Sequence, residues 1–467
     1  MALNRRNFLA NSLTAGAAPL ASSAFGSLLL AQAAAAQTRD ITGYKALVCV
    51  FLAGGNDALN TVIPRDNSNY GLYSTARAGV GTGLAIAQNA ILPITSSTPQ
   101  SSGALHGLHP AMPEMQQMFA ANRCAIVANV GPLIEPITQA QFQNSSVPVP
   151  PQLFSHSDQQ AFWQTSRPDT TARIGWGGRL ADLLQAANTN GSLSMSMTLA
   201  GNNIFQTGNV IQPYSIGANG PVERQDYFNV ESGNRRAAVD ALLAQSQAHP
   251  FERAFAQTQR RALDNYQFVA SALASAAPLS TVFPTGSEND IRLSRQLSMV
   301  ARLIRARTAL DQRKQIYFVQ VGGFDFHDRQ LTEQANLLGS LSRCLKAFYD
   351  ATVEMGVANQ VTTFTASDFG RTLSINGDGT DHGWGAEHFV MGGAVNGGSI
   401  YGAMPTPVTG GVDDAGWGQI IPKIATDQYA ATLARWLGAS ESQIDLILPR
   451  LGIFPASGGR NLGFMAV

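Results

Sequence analysis

The chain is predicted to fold as α/β, in a three-layer α/β/α arrangement around a mainly parallel central sheet with insertions. Three observations carry that expectation. Continuous apolar runs of strand length occur at residues 45–53, 124–130, 315–322 and 360–366, without the alternation of a half-exposed strand. Segments of helical spacing lie between these runs, so strands and helices alternate. Many of the 45 glycines follow the strands, where the chain must turn sharply out of the sheet.

The elements follow in order. Residues 45–53 carry no charge after Lys45 and read as a strand covered on both faces. Residues 66–104 are rich in Gly, Ser, Thr and Asn with little periodicity, as in a surface excursion. Met112, Met115, Met118 and Phe119 give 110–122 helical spacing, and the strand at 124–130 closes at Gly131-Pro132. Five prolines make 132–154 a loop. Residues 157–165 and 177–187 read as helices, and the polar stretch 188–235 as a small β-containing insertion. Helical spacing with Arg and Gln on the polar face covers 236–276 and 289–313. Strand 315–322, helix 330–355 and strand 360–366 form a βαβ unit, and 427–437 a late amphipathic helix.

The first 36 residues have a different character. Arg5 and Arg6 precede Phe8-Leu9, a weakly apolar stretch follows, and Ala33-Ala34-Ala35-Ala36 offers small residues for cleavage. That order describes a signal peptide, and the paired arginines make it similar to a twin-arginine (Tat) leader. Gly, Ser and Pro dilute the apolar run, so a stable membrane anchor is not expected. The expected location is periplasmic or exported, with the Tat machinery as a partner and residues 37–467 as the mature α/β domain.

Basic and acidic residues balance at 31 each, and no basic stripe offers a nucleic-acid surface. Cys49, Cys124 and Cys344 are an odd, widely spaced set inside apolar or helical runs. They read as buried hydrophobes, not as a disulfide framework.

Acidic residues and histidines stand just beyond the strands. Asp57 follows Gly54-Gly55-Asn56, Asp325 and His327 follow Gly322-Gly323, and Asp368 follows the Thr-rich strand. His382 and His388 flank Gly383-Trp384-Gly385. In open α/β sheets ligands bind outside the carboxyl ends of the strands, so these groups are expected to converge there. Convergent Asp and His side chains are the chemistry of a divalent metal site, whether Zn, Mg, Mn or Ca. Each residue also has a structural reading. Asp325 could cap a helix starting near Asp328, and Asp368 could cap residues after Gly370. Arg371 would clamp an anionic oxygen or pair with Asp368. One of His382 and His388 would be a ligand, the other structural. Ser155-His156 opens a helix, where a hydroxyl could act as nucleophile and the free N–H groups could hold an anion; Ser157 reads as the N-cap.

The run Thr363-Phe364-Thr365-Ala366-Ser367-Asp368-Phe369-Gly370 resembles the strand end of sulfatases and phosphodiesterases of the alkaline-phosphatase superfamily. From residue 45 to about 440 the chain resembles an exported bacterial family with a domain of unknown function, placed near that superfamily. The resemblance implies an alkaline-phosphatase-like fold and a metal-dependent hydrolase of phosphate or sulfate esters, with an anionic small molecule or polymer as substrate. It implies Asp57, Asp325, His327, Asp368 and His382 as metal ligands, beside Ser155, His156 and Arg371 as catalytic candidates. Phe369 stands where the superfamily has a histidine, and no Cys-x-Pro-x-Arg segment is present. The alternative is a non-catalytic envelope protein with a degenerate metal site.

Overall fold

A computed structural model describes residues 43–100, 103–228, 233–245, 248–454 and 459–466. The leader, with Arg5 and Arg6, lies outside the described residues. Among them, no helix is long and apolar enough to cross a membrane.

The strands are β1 (Lys45–Ala53), β2 (Val62–Pro64), β3 (Leu92–Pro93), β4 (His106–Leu108), β5 (Cys124–Gly131), β6 (Ser196–Thr198), β7 (Tyr214–Ser215), β8 (Lys314–Gly322), β9 (Val361–Ser367), β10 (Arg371–Ile375), β11 (Thr380–His382), β12 (Ala386–Gly392), β13 (Ile400–Tyr401) and β14 (Ile424–Ala425). The helices that matter here are α1 (Asn67–Ala76), α2 (Pro113–Ala120), α3 (His156–Thr165), α4 (Trp176–Leu184), α5 (Glu288–Arg305), α6 (Gln330–Glu354) and α7 (Thr426–Leu437).

The main sheet runs β13-β5-β12-β9-β1-β8-β6-β7, with β14 also on β5. Every pairing is parallel except the two made by β12. β1 explains the layers. Ala46, Val48, Val50 and Leu52 enter one core with residues of α2, α5 and α6, while Leu47, Cys49 and Phe51 enter another with α4 and α7. A period of two thus sends alternate side chains into two apolar layers, and the three-layer α/β/α expectation holds. The three cysteines are free and buried.

Two stretches differ from the sequence reading. Residues 66–104 hold α1, capped by Asp66, and β3, which pairs with β4 just beyond the stretch in the small β2-β4-β3 sheet; Tyr73, Ala85 and Ile91 of the stretch pack with Ile63 of β2. Their apolar residues are too widely spaced to produce a period, so a buried satellite core reads as surface. The segment around His382 and His388, to which the sequence reading assigns no strand, contains β11 and the start of the fully buried β12. Residues 188–235 add β6 and β7 to the edge of the main sheet.

β12 carries a buried carboxyl, Glu387, whose pKa burial pushes up to about 7 from 4.5. The fold keeps this proton where an unfolded chain releases it, so the contribution is complete below pH 4.5 and is lost as pH rises through 7. A shift of that size corresponds to roughly 3 kcal/mol. Glu387→Gln is expected to gain on wild type by about that amount between pH 4 and pH 8 in urea unfolding. A difference that does not change with pH would show that Glu387 does not titrate in this window.

Register places the site. Ala53 pairs with Gly322 and Leu52 with Ser367, so β1, β8 and β9 end together and release their loops side by side. The approach is close: a Cβ on Gly54, whose φ is +116°, would lie 2.6 Å from the Asp325 nitrogen.

Candidate metal centre

Three imidazoles and one carboxylate meet above those strand ends. Asp325 follows β8 through Gly323 and the buried Phe324, and His327 stands two residues on. His382 ends β11, opposite Arg371 of β10. His156 arrives from elsewhere, as the first residue of α3.

Around Asp325, Oδ2 lies 3.4 Å from His156 Nε2, and Oδ1 lies 3.1 Å from His327 Nε2 and 3.3 Å from His382 Nε2. The Nε2 atoms of His327 and His382 are 3.1 Å apart. His156, Asp325 and His382 each offer a ligand atom within 4.8 Å of the others. Ligands set tetrahedrally about 2.0–2.1 Å from one ion stand about 3.3 Å from one another, a spacing that the distances from Asp325 to His156 and His382 match; His327 lies beside Asp325 and His382, outside that mutually close trio.

The other ring nitrogens explain why Nε2 points inward. His156 Nδ1 lies 2.8 Å from Asp368 Oδ2, His382 Nδ1 2.8 Å from the Phe154 carbonyl, and His327 Nδ1 3.3 Å from Asp381 Oδ1. Carbonyl and carboxylate oxygens only accept, so Nδ1 of His156 and of His382 donates outward and leaves Nε2 facing Asp325. A divalent cation there would join these nitrogens to the carboxylate. Outer hydrogen bonds of this kind are the usual support of metal-bound histidines.

Charge follows the same pattern. The Asp325 carboxyl is held below its ordinary value: burial acts to raise it, and the hydrogen bond and charge of Arg371, with His156 and His327, outweigh that. Burial lowers the His382 pKa despite its bond to Phe154, which favours the neutral ring. Asp325 and His327 are nearly half exposed, so the cluster opens to solvent.

The remaining candidates take other places. Asp57 is fully buried, with Oδ1 2.7 Å from Arg77 Nη2 and accepting from the Leu59 N–H, and Oδ2 accepting from Gln330 Nε2. Both oxygens are therefore occupied away from the imidazoles. Gln330 also accepts from Thr380 Oγ1, which accepts from Arg371 Nε, so Asp57 reaches the cluster only through this chain. Asp368 is buried behind His156, accepting also from Gln160 Nε2 and the Gly54 N–H. It caps no helix, because the strand β10 follows. Arg371 pairs with Asp325 at 2.5 Å and not with Asp368; its remaining donors go to Thr380 and the Gly54 carbonyl. It pins the ligand, and its side chain is fully buried. Ser155 is the N-cap residue of α3 in place of Ser157, and its hydroxyl donates to Asp158 Oδ2 at 2.7 Å, not to a site imidazole. The helix after β8 begins at Gln330 with Arg329 in the cap position, so Asp325 caps nothing. His388 is buried against Trp163 and Tyr429, where desolvation depresses its pKa to about 3.

The sequence singled out His156 for the serine beside it. Its place as a nitrogen donor, and Asp381 as the partner of His327, left no local signal, since both depend on loops meeting in space.

The family described as "Protein of unknown function (DUF1501)" matches residues 44–415. No curated protein matches the chain. Among solved structures, it is similar to the lipoteichoic acid synthase LtaP from Listeria monocytogenes, at 8% identity over 92% of this chain and 78% of that one, with a TM-score of 0.33. It is similar to the PsFucS1 sulfatase from Pseudoalteromonas sp., at 12% identity over 89% and 71%, with a TM-score of 0.31. The soluble domain of lipooligosaccharide phosphoethanolamine transferase A from Neisseria meningitidis matches at 9% identity over 92% and 95%, with a TM-score of 0.32. Likenesses this distant carry no argument about chemistry.

Proposed function

This chain belongs to the DUF1501 family of proteins of unknown function, and on that premise we propose that it is a Tat-exported, metal-dependent hydrolase of phosphate or sulfate esters. One divalent ion is held by His156, Asp325 and His382, with His327 beside Asp325 and His382 as a further donor. The observation that carries this reading is the convergence of three Nε2 atoms on one carboxylate, with His156 and His382 each fixed by an oxygen at Nδ1. Three imidazoles suit zinc or a similar transition metal better than magnesium or calcium. Asp57 and Asp368 have their oxygens committed elsewhere, which favours a single ion. When bound, such an ion polarises an ester oxygen and acidifies a water. The chain's own residues then have defined tasks. Asp368 orients His156, the Phe154 carbonyl orients His382, and Arg371 fixes Asp325. The ester class comes from the strand-end resemblance at residues 363–370, and export from the leader with Arg5 and Arg6.

A second reading, a non-catalytic envelope binding protein, is favoured by one observation. Arg371 and Ser155 are committed to Asp325 and Asp158, leaving neither a clamp nor an activated hydroxyl. One experiment separates the two. Protein recovered from the periplasmic fraction is stripped with chelator, titrated with zinc, and assayed on p-nitrophenyl phosphate and p-nitrophenyl sulfate. One zinc per chain with zinc-dependent hydrolysis of either ester supports the hydrolase. One zinc without turnover supports the binding protein, and no zinc uptake sinks both.

A further inference from the structure

The outer hydrogen bonds leave one property of the imidazoles open. A bond at Nδ1 sets the direction of the ring axis, but the ring can still swivel, because the torsion to a flat side chain is broad. A ring plane is held by a flat surface. Phe369, fully buried, supplies one: its ring stacks on His382 with centroids 4.7 Å apart at 30°, and lies 4.8 Å from His156 at 40°. The two imidazoles meet edge-on at 4.3 Å and 69°. A single phenyl group therefore touches both rings, although His156 and His382 lie far apart in the chain.

The sequence makes room for this ring at one position. Gly55 has φ +83°, and a Cβ there would fall 2.3 Å from Phe369 Cε2 and 2.4 Å from Cδ2. Any side chain at Gly55 would drive the phenyl ring into the imidazoles. The paired glycines after β1 thus serve two neighbours, Gly54 the Asp325 backbone and Gly55 the Phe369 ring.

We propose that Phe369 is a positioning residue for the metal site, fixing the ring planes of His156 and His382 so that both Nε2 atoms meet Asp325, with Gly55 providing its space. The inference rests on the metal reading above. A phenylalanine in place of a nitrogen donor is then a working part of the site, since the nitrogen comes from His156 and the flat surface from Phe369.

The test uses the full mature chain, stripped of metal and titrated with cobalt(II), whose visible absorption reports ligand geometry. Phe369→Leu and Phe369→Met keep an apolar side chain and remove the flat face. Each is expected to bind cobalt about 10–100-fold more weakly, the range for loss of a supporting residue. The visible bands should change in shape, while the thermal midpoint of the metal-free protein stays within a few degrees. Wild-type affinity with unchanged bands in either variant overturns the proposal. So does loss of cooperative melting in both metal-free variants, which would make the ring an ordinary core residue. Failure of wild type to take up cobalt would instead sink the metal reading, so the two failures are distinct.

Discussion

Asp57→Ala should destabilise the metal-free protein by about 3–5 kcal/mol, the loss expected when one partner of a buried ion pair is removed. Asp57 and Arg77 are both fully buried and 2.7 Å apart. Arg77 already has Nε and Nη1 without hydrogen-bond partners. Removing the carboxylate would leave the whole guanidinium charged, unpaired and dry. Gln330 would lose its acceptor at the same time, loosening its link to Thr380. Adding Arg77→Met should recover most of the loss, because the stranded charge goes and apolar volume remains. The measurement is urea unfolding with chelator present, comparing both variants with wild type. A loss under about 1 kcal/mol, coupled with abolished metal binding, would return Asp57 to the ligand set.

The second large effect concerns affinity. His156→Ala should weaken zinc or cobalt binding by more than about 100-fold, beyond what loss of an outer partner costs. One of the three mutually close donors disappears, and nothing on α3 replaces it: Gln160 already donates to Asp368. Asp368→Ala should fall in the lower range of about 10–100-fold, because it removes the acceptor that orients His156 and leaves the nitrogen in place. Equal losses in both variants, measured by competition with a chromogenic chelator, would mean that Asp368 binds the ion directly.

These two predictions separate roles that look identical in sequence. Asp57, Asp325 and Asp368 each stand just past a buried strand, and the strand ends were legible because an unbroken apolar run is hard to place anywhere but the middle of a sheet. Which aspartate faces the imidazoles was not legible. The partner of Asp57 is an arginine 20 residues later, at the end of a helix with no detectable period. The partner of Asp368 is a histidine 212 residues earlier. The buried β12 was hidden for a related reason: its Glu387-His388 pair interrupts the apolar run that marks a buried strand, yet both side chains sit in the interior.

By itself the sequence determined the layered α/β fold, the four long strands and their common edge, since alternate-residue burial and strand-to-helix order are local properties of the chain. It also determined that acids and histidines would gather at that edge. Only the tertiary structure decided which of them share a centre. A carboxylate takes whichever donor lies within about 3 Å, and that donor comes from segments hundreds of residues apart that only the register of β1, β8 and β9 brings together.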